Sequence, residues 1–211
     1  MNLAQFFVRH GGEILQATLE HIWLVGLTMF LAIVVGVPLG ILVTRRPWLS
    51  KPILGSANVA ETIPSLALFG FLLPIPWLGD RADRLAVVAL TLYALLPIIR
   101  NTAAGIDGVD RAVREAARGM GMTELQILLQ VELPLSLSTV IAGIRVATVL
   151  TIGVATIAAA VGAGGLGEFI FRGLAMVNDQ LILAGAIPAA MLALGADFLL
   201  GVLERRLRPA R

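Results

Sequence analysis

An all-α, polytopic membrane bundle of about five spanning helices is the fold class that the sequence predicts, and three observations predict it. Of the 211 residues, 58% are hydrophobic and 14% charged, against about 25% charged in an ordinary soluble domain; the mean hydropathy is +0.90. The apolar residues gather into runs near the roughly 20 residues that a helix needs to cross the hydrocarbon with its backbone polar groups bonded internally. The cations concentrate in alternate connections between those runs, as the positive-inside bias requires.

In chain order, residues 1–21 have Glu13 and Glu20 among their apolar residues and no small-residue cleavage site. They read as a retained polar or interfacial segment rather than a removable signal peptide. The first span is expected over 22–43 and the second over 53–73, where Asn58 and Glu61 interrupt it. The third is expected over 85–102, the fourth over 135–161 after Pro134, and the fifth over 181–203. No polar or low-complexity linker divides the chain, so residues 1–211 form one transmembrane domain.

Arg45, Arg46 and Lys51 follow the first span, Arg111, Arg114 and Arg118 follow the third, and Arg205, Arg206, Arg208 and Arg211 follow the fifth. These mark the cytoplasmic side, leaving the N-terminus outside and the C-terminus inside. The other side keeps Arg9, Arg81, Arg84 and Arg172. An odd number of spans excludes two equal inverted halves within one chain, so symmetry would come from a second subunit. The pI of 9.9 reflects this scattered distribution and not a nucleic-acid patch.

Several chemistries are excluded. There is no Cys, which removes disulfides, thiolate metal sites and Cys nucleophiles. Zinc-protease HExxH, GxSG and GxGD elements are absent, and the histidines are His10 and His21 alone. The single lysine, Lys51, follows Ser50, so no glycine-rich loop ending in GK[ST] is present to cradle a nucleotide. No catalytic, metal or cofactor site is expected on this chain.

The stretch 104–134 between the third and fourth spans is too polar for lipid, yet it is patterned as two short helices. Asp110 can cap the first. Gly119, Met120 and Gly121 interrupt the pattern, because glycine costs about 1 kcal/mol relative to alanine inside a helix and adopts positive φ readily. Thr123 and Gln126 form a capping-box pair for the second, with Leu125, Leu128 and Leu129 at helical spacing. Helices shorter than ~12 residues are marginal alone in water, so the pair is expected to serve as a docking surface. The small Ala116, Ala117 and Gly121 would let a partner approach, and Glu115 with its neighbouring arginines would set the register.

The segment "EAARGMGMTELQILLQVELP", Glu115 to Pro134, resembles the EAA motif of ATP-binding cassette (ABC) importer permeases: EAA, three residues, G, nine residues, I, any residue, LP. Val131 at the isoleucine position is the one departure. The resemblance implies a type I importer fold like that of methionine permeases, and coupling helices seated on a cytoplasmic ATPase. It assigns that role to Glu115, Ala116, Ala117, Gly119, Gly121, Leu133 and Pro134. It also implies two ATPase subunits carrying ATP and Mg, a second permease subunit, identical or related, and an extracytoplasmic solute-binding protein.

"ETIPSLALFGFLLPI", "LYALLPIIRNTAAGIDGVD" and "VGAGGLGEFIFRGLAMVNDQLILAGAIPAAMLAL" resemble the osmoprotectant branch, which takes up solutes such as glycine betaine. Methionine-type permeases look similar at "VGAGGLG", where the alternative is glycine used for close packing or a re-entrant turn. Glu61, Thr62, Pro64, Ser65 and Tyr93 are candidates for the pathway or a gate. An ionisable group at membrane depth costs roughly 2.5–3.5 kcal/mol and faces a cavity or a partner. For Glu61 the competing expectation is a place near the cytoplasmic end of its span, snorkelling or meeting Arg100 or Arg145. Pro64 would kink the second span and free a carbonyl, tolerated only against protein or water.

Tyr93, Trp23, Trp48 and Trp77 invite an aromatic cage for a quaternary ammonium group, against the ordinary reading as belt anchors at the interfaces. An ion-coupled secondary transporter using Glu61 is the competing function class, and the coupling loop argues against it.

Overall fold

The structure, a computed structural model, describes residues 3–207. Arg208 and Arg211, counted above among the cytoplasmic cations, lie outside the described residues. Every regular element among the described residues is helical.

A short α1 (Leu3–Arg9) leads into α2 (Gly11–Arg45). Residues 11–21, read as a polar or interfacial segment, are thus helical and continuous with the helix that carries the first span. Nothing there breaks a helix: Glu13 sits in the first turn, where negative charge is favourable. Ile14, Ala17, His21 and Leu24 recur at three- and four-residue spacing and are buried. At about 1.5 Å per residue, α2 exceeds the ~30 Å hydrocarbon, so its ends project.

The second expected span is not one helix. It is divided into α3 (Pro47–Thr62) and α4 (Ser65–Leu72), followed by a turn, α5 (Pro76–Gly79). Ile63 and Pro64 are extended, with ψ of 128° and 135°, because the ring of Pro64 drives the residue before it out of the helical region. Among the described residues, four segments are long and apolar enough to span a membrane: α2, α6 (Ala82–Asp107), the continuous run Glu124–Val161, and the C-terminal helix Asp179–Arg206. The broken α3–α4 pair is not among them.

The remaining elements are α7 (Arg111–Gly119), α8 (Glu124–Ile127), α9 (Leu133–Ala158), α10 (Gly167–Met176) and α11 (Asp179–Arg206). Helix α2 packs on α6, α6 on α9, and α9 on α11. The central core includes Leu24, Met29, Phe69, Leu90, Ile98 and Ile152. Small residues let the spans approach closely: a Cβ at Gly40 would lie 2.5 Å from Thr102 Cβ, and one at Gly143 would lie 2.5 Å from Asn101 Cβ.

The "VGAGGLG" run forms the turn between α9 and α10, with Gly162, Gly164 and Gly165 at φ near +80°, a region that only glycine adopts routinely. This turn is tied to α2. Gly165 donates its N–H to Glu20 Oε2 at 3.3 Å, and beneath it the fully buried His21 donates through Nε2 to the Ile152 carbonyl at 3.1 Å.

Candidate functional site

The polar loop between α6 and α9 builds itself from local signals. The Asp110 carboxylate accepts the Ala112 N–H at 2.8 Å and caps α7, along which Arg111 donates to Glu115 at 2.7 Å. Gly121, at φ +80°, reverses the chain. Thr123 and Gln126 then exchange both bonds of a capping box: Gln126 Oε1 accepts the Thr123 N–H at 2.8 Å, and Thr123 Oγ1 accepts the Gln126 N–H at 3.3 Å. Beyond α8, residues Leu128–Glu132 form a wide π-helical turn. Pro134, near the start of α9, lacks an N–H for the ordinary helical bond, and the wider turn accommodates that loss.

Ion pairs fix this knob to the bundle and close it on itself. The Glu132 carboxylate has no solvent exposure and accepts from Arg45 at the end of α2, while Arg114 of α7 stands 3.7 Å away. Arg114 also donates to the Val109 carbonyl at 2.8 Å. Arg118 pairs with Glu124 at 3.1 Å, joining α7 to α8; that hydrogen bond pushes the Arg118 guanidinium above its ordinary value. A buried carboxylate facing two guanidiniums is tolerable, whereas one stripped of its partners costs about 3–5 kcal/mol.

Of the residues that the motif assigns to coupling, Glu115, Ala116, Gly119, Gly121 and Pro134 are exposed and Leu133 is half-buried. Ala117 is 1% exposed and packs inside the knob. At that burial its side chain itself presents almost no surface. Met120, Leu125 and Leu129 of the same loop are each more than half exposed.

The pathway candidates gather at the break between α3 and α4. Thr62, Pro64 and Ser65 flank it, and the Tyr93 hydroxyl of α6 donates to the Ile63 carbonyl that the break frees. Glu61 lies half-buried in the last turn of α3. Neither expected arginine meets it: Arg100 donates to Asn58 at 3.1 Å, and Arg145 makes a two-pronged bond to Asp197, both arms 2.7 Å, and a further one to Glu204 at 3.2 Å. Sequence reasoning missed both the Arg145–Asp197–Glu204 network and the Arg45–Glu132–Arg114 clamp. Asp197 inside the fifth expected span was a signal for the first; the second had none, since Glu132 reads as ordinary loop polarity.

Residues 36–209 match the family model described as "Binding-protein-dependent transport system inner membrane component". The chain belongs to this family. This inner-membrane transport component is 45% identical to the carnitine transport permease protein OpuCB of Listeria monocytogenes, over 98% of this chain and 94% of that one. It is 43% identical to the osmoprotectant import permease protein OsmW of Salmonella typhimurium, over 99% and 98%. A chain of an inward-facing crystal structure of the MetNI methionine ABC transporter superposes with a TM-score of 0.83, at 24% identity, over 92% of this chain and 96% of that one. The all-α fold is that of a type I ABC importer permease, and the protein is a multi-pass component of the bacterial inner membrane.

Proposed function

We propose that this permease carries a compatible solute of the glycine betaine class, and that ATP hydrolysis on separate subunits drives the transport through the α7–α8 knob. The substrate class is supported by relatives named for carnitine, choline and osmoprotectants at 40% identity or more over nearly the whole chain. The observation that carries the coupling role is the clamp at Glu132. It joins the knob to α2 through Arg45 and to α9 through the continuous helical run, so a push on the knob reaches two spans.

Two ATPase subunits with ATP and Mg close on one another, and two permease subunits, identical or related, line a shared path. Their coupling helices move together and re-aim the spans from outward to inward access. A solute-binding protein delivers the cargo from outside. The chain itself holds no nucleotide and performs no covalent chemistry; it converts closure of the ATPases into exposure of the path.

Co-reconstitution with the ATPase and binding protein in liposomes tests this reading. Gly121→Pro cannot keep φ at +80°, since proline is locked near −65°. Glu115→Lys places like charges beside Arg111. Both variants insert normally and hydrolyse ATP without uptake. Normal uptake in both, or uptake driven by an imposed ion gradient without ATP, overturns the reading.

A further inference from the structure

At the end of the bundle remote from the knob, Glu20 and Trp23 of α2, Trp77 of α5, and Asp83 and Arg84 in the first turn of α6 line one cavity of about 390 Å³. Trp23, in the first half of α2, lies roughly 33 Å along the helix from Arg45 at its C-terminal end. The coupling machinery makes no use of this recess.

Its chemistry is specific. A belt tryptophan needs only lipid and headgroups around it. Trp23 and Trp77, although 72% and 66% exposed, both border one cavity that two carboxylates and one guanidinium also line. A trimethylammonium group has no N–H to donate, so it is held by aromatic faces and nearby negative charge and not by directed hydrogen bonds. Both are present, with the carboxylates outnumbering Arg84. Arg84 would meet the carboxylate of a zwitterion and is dispensable for choline, which has none.

We propose that this recess is a binding site for a trimethylammonium group, contacted by the indoles of Trp23 and Trp77 and by Asp83, with Glu20 linking it to the α9–α10 glycine turn. The choice of a free solute as occupant rests on the function proposed above; the site's chemistry does not, because a choline lipid headgroup carries the same group.

The test uses the permease–ATPase complex in phosphatidylglycerol nanodiscs, without binding protein, dialysed to equilibrium against labelled choline. Binding is saturable, competed by glycine betaine, and unaffected by the uncharged tert-butyl analogue of choline. Trp23→Ala and Trp77→Ala each weaken it about fivefold. Trp23→Phe and Trp77→Phe retain most of it, which separates loss of a ring face from loss of fold, and Asp83→Asn weakens it.

Repeating the titration in phosphatidylcholine nanodiscs distinguishes the sources. Loss of choline binding assigns the site to lipid headgroups, and unchanged binding assigns it to free solute. Absence of saturable binding in phosphatidylglycerol, or equal competition by the uncharged analogue, overturns the site. Uptake measured in parallel keeps the two readings apart: uptake without this binding sinks only the site, and binding without ATP-driven uptake sinks only the function.

Discussion

Glu132 keeps a carboxylate out of water at the root of the coupling knob because Arg45 and Arg114 face it. Glu132→Ala removes the buried charge itself and leaves Arg45 and Arg114 partly exposed, with Glu124 still 3.9 Å from Arg45. It is therefore expected to destabilise the complex less than Arg45→Ala, which strips a partner from the buried carboxylate and is expected to lower the unfolding free energy by about 3–5 kcal/mol, read by thermal or denaturant unfolding in detergent. Arg45→Ala strands the carboxylate with Arg114 alone, and the double variant falls short of the sum of the singles by more than about 0.5 kcal/mol. Additive losses would show that the pair is not coupled. This residue was silent in the sequence, since a glutamate in a polar loop looks the same whether it is solvated or clamped. Glu115, Gly121, Thr123 and Gln126 were legible because their effects are local: a helical pair at four residues, a positive φ, and a capping box complete within four positions.

The break between α3 and α4 is the element on which a gate would turn. Pro64 imposes it, and Tyr93 satisfies the carbonyl that it frees. Pro64→Ala permits the helix to run through, so that the Ile63 carbonyl turns to the amide at position 67 and Tyr93 loses its acceptor. Amide exchange over 65–67 is expected to slow, the Leu68 amide being bonded to the Pro64 carbonyl already, with uptake falling while ATPase assembly persists. Unchanged exchange would show that the break does not depend on Pro64. The sequence indicated a kink at this place, but hydropathy counting fused two short helices into one span, because apolar content is blind to a backbone that leaves the helix for two residues. The same counting said nothing of where the first helix begins: Glu13 and Glu20 interrupt the apolar run, although a helix carries both at a projecting end.

Orientation belongs to the whole molecule. On the positive-inside bias, we propose that the knob lies in the cytoplasm and the α10–α11 turn outside. The absence of cysteine gives a clean background for Met120→Cys and Met176→Cys, at positions 75% and 65% exposed. A membrane-impermeant maleimide is expected to modify the Met176→Cys variant in intact cells whose outer membrane has been removed, and the Met120→Cys variant only in inverted vesicles. The reverse pattern would invert the topology and remove the knob from any cytoplasmic ATPase. Most of the architecture was readable at this scale, since a span needs only length and apolarity. The tertiary ion pairs and the shared Trp23–Trp77 recess were not, because they join residues dozens of positions apart.

The wide turn at Leu128–Glu132 bears on how motion travels. Pro134 has no hydrogen with which to restore the tighter winding, so the junction cannot absorb a displacement by rewinding. Knob and span then behave as a crank keyed to its shaft: a tilt imposed at Met120 arrives at the far end of α9, about 40 Å along the helix, as leverage and not as local yielding.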